Sequence, residues 1–213
     1  MKILIVGAGG HGQVVADILQ AQRTAGEDVS VVGYVDDALV VQQPRMGGPV
    51  LGTVAAIPDI EHDALLVAIG DNQQRARMHG WISQRGAKFI SARHPSAIIA
   101  SGATVGDGSM VCARVVVGCG SRVGRGVILN TACTVDHHAC IDDFVHVAPG
   151  VHLGGDVSVG ECAFLGIGAV FLPRISVGSH AIVGAGAVVT RDVPAGATVV
   201  GVPAQVVRAR EVG

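Results

Sequence analysis

The sequence predicts two successive architectures: a small α/β domain with a Rossmann-like parallel sheet over residues 1–93, and a parallel β-helix of hexapeptide repeats over 94–200, followed by a short tail at 201–213. Three observations carry this reading. Short apolar runs alternate with amphipathic segments up to about residue 93. From Ile99 onward an aliphatic or Phe residue recurs every six positions. Hydrophobic residues make up 49% of the 213-residue chain but aromatics only 3%, with 31 glycines, a composition suited to thin, regular layers of Val, Ile, Leu and Ala.

In the first domain "KILIVGA" reads as a strand, and Gly12 to Gln22 puts Val14, Val15, Ile18 and Leu19 on one helical face. "VSVVGYV" (29–35), "ALLVAIG" (64–70) and "KFISA" (88–92) are further strands. Asp71 or Asn72 opens a helix that Gly86 stops. Strands joined through helices favour parallel pairing. Gly7, Gly9 and Gly12 form G-x-G-x-x-G between strand and helix, where a helix N-terminus can receive a phosphate. Asp36, ending the second strand, would suit a ribose hydroxyl; Asp36 and Asp37 would equally suit a polar turn.

In the second domain Val, Ile, Leu or Phe occupies sixteen consecutive sixth positions, from Ile99 to Val189, without an insertion. Four residues after each comes a small or β-branched residue, such as Ala103, Ser109, Cys133, Ala139, Ala163 or Ala187. A period of six fits neither a lone helix nor a hairpin. It fits a triangular prism in which each hexad forms one face and three hexads make a coil. Sixteen hexads then give about five coils, a solenoid about 25 Å long at the ~4.8 Å strand spacing.

Charge and composition narrow the function. A net charge of −2 with no strongly basic half does not suit nucleic acid or an anionic membrane. No apolar run approaches the roughly 18 residues of a membrane span. "MKILIVGAGG" reads directly into a strand and has no signal-peptide cleavage pattern. The five cysteines form no CxxC pair, and their odd count suits reduced thiols in the cytoplasm.

"VDHHACIDDFVHVAPG" (135–150) concentrates three histidines and three aspartates. In the hexad grid His137 is third and His146 sixth, so both lie off the interior row. Imidazole, with a pKa near ~6.5, can take a proton at neutral pH. His146 and His152, one hexad apart, also leave open a zinc site with a third histidine.

The hexad repeat, "GVPAQVVR" (201–208), "GAGGHG" (7–12), "HPSAII" (94–99) and "NTACTVDHHACIDDFVH" (130–146) together resemble the left-handed β-helix acyltransferases. Within them the chain is similar to the nucleotide-sugar and sialic-acid acetyltransferases of bacterial glycan synthesis, those acting on UDP-4-amino-sugars and GDP-perosamine included. The resemblance covers essentially the whole chain, and it implies the handedness. It implies His137 as general base, a contribution typically of ~10²–10⁴ in rate. Where the family usually has an acidic residue next to the base, this chain has His138. Asp136, Asp142 or Asp143 would then orient His137, or His138 would share its role.

The resemblance further implies that His146 lies near the thioester end of acetyl-CoA and that Ile167 and Ala185 line the pantetheine groove. Gly155, 18 residues after His137, either offers its N–H to an oxyanion or is a corner glycine. Arg208 and Arg210 either meet coenzyme A phosphates or form a solvated tail. Gly9, Gly10, His11 and Gly12 would cradle the substrate beside Asp36 and Asp37, with Gly70, Asp71 and Asn72 closing the pocket. Asn130 would approach the sugar or join an asparagine ladder.

The implied activity is transfer of acetyl from acetyl-CoA, without a metal, to the amine of a UDP- or GDP-linked 4-amino-4,6-dideoxy sugar by a cytoplasmic homotrimer. Direct attack by the amine suits a site with no evident Cys or Ser nucleophile. The alternatives are a sialic acid O-acetyltransferase, a β-helix zinc hydratase and a noncatalytic nucleotide-binding module.

Overall fold

The computed structural model describes residues 1–38 and 44–208. The chain divides into two compact units, Met1–Pro95 and Ser96–Gly213. The first contains β1 (Lys2–Val6), α1 (Gly10–Thr24), β2 (Ser30–Val35), β3 (Pro44–Arg45), β4 (Gly48–Gly52), a 3₁₀ segment (Val54–Asp59), β5 (Ala64–Val67) and α2 (Asn72–Ser83). Its sheet runs β3-β4-β2-β1-β5. All neighbours pair in parallel except β3 and β4, which form an antiparallel hairpin. Leu4, Val6, Val35, Leu65, Val67 and Ile82 form a continuous core.

Four details depart from the sequence reading. Val15, Ile18 and Leu19 are buried, but Val14 is 41% exposed. The buried stripe of α1 runs through Gly12, Val15, Ile18, Leu19 and Gln22, and at 3.6 residues per turn Val14 falls beside it. "KFISA" does not return as one strand: Phe89 bridges Leu65, and only Ala92–Arg93 is extended again. The β3–β4 hairpin has too few apolar residues to show an alternating pattern. It needs a glycine on β2, because a Cβ at Gly33 would lie 2.7 Å from the Pro49 carbonyl. Finally, α2 ends at Ser83, before Gly86, whose φ of +76° lets the chain turn away.

The second unit is a parallel β-helix of two-residue strands. Its first face carries strands beginning at Ile98, Val116, Thr134, His152, Val170 and Val188. The second face begins at Thr104, Arg122, Cys140, Ser158 and Ser176. The third carries strands from Met110 through Ile128, His146, Phe164 and Ile182 to Thr198. Partners are 18 residues apart, as in Val117↔Val135 and Ile141↔Val159, except at the last coil, where Thr198 pairs with Ile182, 16 residues before it. Fourteen of the sixteen hexad aliphatics are buried, the exceptions being Ile99 and Val105 in the first coil. The last strand, Gln205–Arg208, folds back antiparallel on Thr198–Val200.

The small residue four places on also points inward: Ser121, Cys133, Ala139, Ala163 and Ala187 are fully buried. A buried hydroxyl needs partners. Ser121 Oγ donates to the Asp136 carbonyl at 2.7 Å and accepts from the Ala139 N–H at 3.1 Å. Between strands every sixth residue from Gly102 to Gly186 has a positive φ, and non-glycine residues such as Arg114, Phe144 and His138 (φ 58°) take that conformation too.

Candidate functional site

At the carboxyl ends of β1, β2 and β5 lies a cleft of about 500 Å³, walled in part by Gly9, Gly10, His11, Asp36, Asp37 and Gly70. This is where a doubly wound sheet receives ligands. Gly9 is the N-cap of α1 and offers no side chain to cap the first turn. A Cβ at Gly9 or Gly10 would meet nothing within 4 Å, so the loop is open to close approach of a ligand. Gly12 answers a packing need, because its Cβ would strike the Gly7 carbonyl.

Both acidic residues here hold backbone. Asp36 accepts from the N–H groups of Ala8 and Ala38, each at 2.8 Å. Asp37 accepts from Val54 N–H at 2.8 Å. Asp71 caps α2 by accepting from Gln74 N–H at 2.7 Å. Asn72 is buried and accepts from Arg75 Nη2 at 2.8 Å. Asp71 and Asn72 therefore shape the start of α2. Sequence reasoning missed Arg75. It is fully buried, and its Nη1 donates to the Ile69 and Gly70 carbonyls at 2.9 and 3.3 Å. Burial, and then the Arg75 charge, push the His11 pKa down to about 4, so His11 is neutral at pH 7.

In the β-helix, residues 18 apart stack along each edge. Cys119, His137 and Gly155 share the edge between the first and second faces. The His137 ring lies over Gly155, where an added Cβ would be 2.5 Å from Nε2. The His138 ring lies over Gly120, whose Cβ would be 2.5 Å from Nδ1. The two imidazoles meet edge to face with centroids 5.2 Å apart.

The carboxylates expected to orient His137 are placed otherwise. Asp136 accepts from the His137 backbone N–H at 2.8 Å. Asp143 pairs with Arg125 Nε at 2.7 Å. Asp142 follows the Cys140–Ile141 strand, at the far edge of the second face. Among the described residues none hydrogen-bonds the His137 ring, and none accepts from the Gly155 N–H.

On the third face His146 packs edge-on against Phe164, with centroids 5.2 Å apart. Asn130 Oδ1 accepts from Thr131 N–H at 2.8 Å, which turns its Nδ2 toward His146 Nε2 at 3.3 Å. Asn130 Nδ2 and His146 Nε2 are within hydrogen-bond distance. Asn130 thus belongs with His146. Exposed Ile167 and Ala185 stack on the edge between the third and first faces, where Gly186 N–H bonds the Ile167 carbonyl at 2.8 Å. Asn130 lies one residue before that edge.

His152 projects from the first face, its Nδ1 2.8 Å from Thr134 Oγ1, so it and His146 are on different faces. No group of three His, Cys, Asp or Glu among the described residues could hold a metal ion. Arg208 is exposed on the final strand, and Arg210 lies outside the described residues.

The glycine-loop unit and the coils each match a known family. Residues 2–82 match the PglD N-terminal domain, and residues 156–191 match the bacterial transferase hexapeptide (six repeats). The GDP-perosamine N-acetyltransferase of Escherichia coli O157:H7 is 33% identical over 210 residues, spanning 94% of each chain. The chain belongs to the hexapeptide-repeat nucleotide-sugar N-acetyltransferase family. Two solved members of this family share the whole fold. The acetyltransferase domain of PglB from Neisseria gonorrhoeae FA1090, in complex with acetyl coenzyme A, matches with a TM-score of 0.89 and 39% identity, covering 97% of this chain and 98% of that one. A variant of GDP-perosamine N-acetyltransferase from Caulobacter crescentus, in complex with CoA and GDP-perosamine, matches with a TM-score of 0.92 and 36% identity, covering 98% of both chains.

Proposed function

We propose that this protein transfers acetyl from acetyl-CoA to the amine of a nucleotide-linked 4-amino-4,6-dideoxy sugar, with His137 as general base, for surface glycan synthesis in the cytoplasm. The supporting observation is the His137 imidazole lying over the Gly155 backbone, with no described residue bonded to its ring. As the amine nitrogen bonds to the thioester carbonyl carbon, His137 takes its proton. The Gly155 N–H donates to the carbonyl oxygen, which becomes an oxyanion. Collapse of that intermediate breaks the C–S bond, and the proton leaves with the thiol. His138 supplies no negative charge; its ring confines His137 from the side.

The sugar nucleotide sits in the cleft of the first unit, its phosphates at the Gly9–Gly10 turn. Ile167 and Ala185 give an apolar edge for pantetheine, and Arg208 a cation for its phosphates. Four of the six outward residues of the first face, Ile98, Val116, Val170 and Val188, are apolar, with Thr134 and His152 between them, whereas the second face presents Thr104, Arg122, Cys140, Ser158 and Ser176. A neighbouring copy set against the apolar face would bring one chain's His137 edge toward the other's Ile167 edge, giving a homotrimer with shared sites. Sedimentation equilibrium should return about three times the chain mass. Mixing His137→Ala with Ile167→Glu chains should restore activity.

The deciding experiment is thiol release from acetyl-CoA against UDP-, GDP- and dTDP-linked amino sugars and free sialic acid. Turnover with an amino-sugar nucleotide is expected. Turnover with sialic acid alone, or none, overturns the reading.

A further inference from the structure

The cleft beneath the glycine loop continues past Asp37. Asp37, Val54, Ile69, Gln74 and Met78 wall it and also wall an adjoining chamber of about 540 Å³. Ala55, Arg77 and Trp81 complete that chamber. Gln74, Arg77, Met78 and Trp81 fall at i, i+3, i+4 and i+7 of α2, so a single helical stripe supplies the wall. The helix packs on the core through another stripe, which includes Arg75, His79 and Ile82.

Trp81 is 40% exposed, a poor use of the largest apolar side chain unless something covers it. Its ring is nonetheless held in place. The Arg85 guanidinium lies 3.6 Å from the ring centroid, and Arg85 Nη1 donates to the Trp81 carbonyl at 2.8 Å. An exposed indole braced from one side, in a chamber continuous with the open Gly9–Gly10 turn, has the form of a stacking platform.

Resting on the nucleotide-sugar reading above, we infer that this chamber is the base subsite, with Trp81 stacking on the base and Arg77 selecting guanine over uracil. An arginine fork presents only donors, and guanine offers two adjacent acceptors, O6 and N7, to meet it. Uracil sets its O4 acceptor beside the N3–H donor, which an arginine cannot satisfy. Adenine likewise sets N7 beside an amino group. Gln74, which can donate and accept, suits the remaining edge or the ribose.

The test is calorimetric titration of the full-length protein with GDP and with UDP. The wild type should bind GDP at least about tenfold more tightly. Arg77→Ala should bring GDP affinity close to that for UDP while changing UDP affinity less than about twofold. Trp81→Ala should weaken both by about 10- to 100-fold, the range expected for a lost base stack. Thermal melts check that both variants fold, which the exposure of both side chains favours. Equal affinities in the wild type, equal losses in Arg77→Ala, or unchanged binding in Trp81→Ala would each overturn the base subsite. Binding of neither nucleotide, with no acetyl-CoA turnover, would instead bring down the nucleotide-sugar reading and the subsite with it.

Discussion

Gly155→Ala tests the contact between His137 and the coil above it. The added methyl would lie 2.5 Å from His137 Nε2 and 3.0 Å from Nδ1, where ordinary contacts begin at 3.4 Å. The ring must therefore retreat by about 1 Å, and a misplacement of that size costs about 10² in rate, or ~2.7 kcal/mol of barrier. Gly155 is not in the left-handed region, so alanine suits its backbone and the melting temperature should hold within a few degrees. Steady-state thiol release should show kcat down about 100-fold and the KM for the nucleotide sugar nearly unchanged. Because the effect passes through His137, the double variant with His137→Ala should lose no more than His137→Ala alone. A kcat within threefold of wild type, or additive losses in the double variant, would refute the geometry.

His137→Ala itself should lower kcat by ~10²–10⁴ and leave acetyl-CoA affinity intact by calorimetry; near-normal turnover would move the base role to His138. His11 governs part of the acid sensitivity. Its pKa of about 4 when folded lies below the usual 6.5, so the unfolded chain binds more protons between those values. Stability from this group is complete above about pH 6.5 and falls as pH drops toward 4, by up to ~3 kcal/mol. Urea titrations at pH 7 and 4.5 should show that loss, with a smaller loss in His11→Gln. Ser121→Ala removes the acceptor of the buried Ala139 N–H and should cost about 1–3 kcal/mol by the same titration. An unchanged midpoint would mean the N–H finds another partner.

The coils were legible because a single interior row sets the period, and Val111 to Val189 keep that row buried. The corners were not. Left-handed backbone is usually written as glycine, yet Arg114, Phe144 and His138 adopt it because the coils above and below fix the turn. The cleft was legible through Gly9, Gly10 and Asp36, which sit at strand ends. Its far wall was not: in "NQQRARMHGWIS" the exposed stripe of Gln74, Arg77 and Trp81 looks like any solvated helix face, and nothing marks Arg75 for full burial. The environment of His137 was legible only by register. Gly155 follows from counting 18, whereas Asp136 and Asp143 were nearby candidates whose bonds to backbone and to Arg125 depend on atomic positions.

The three-hexad coil also makes chain length itself a design variable. His137 reads one edge of the prism and Ile167 another because the number of residues between them is fixed modulo 18. Six extra residues between Gly155 and Ile167 would carry Ile167 and Ala185 round to the edge that His137 occupies. Eighteen extra residues would return them to their own edge, only one strand spacing, ~4.8 Å, further along the axis. The solenoid thus behaves as an odometer. Under the proposed function, a whole revolution would shift the Ile167 edge by a small step that a flexible pantetheine arm can absorb, and a third of a revolution would dismantle the proposed site while every residue in it is retained.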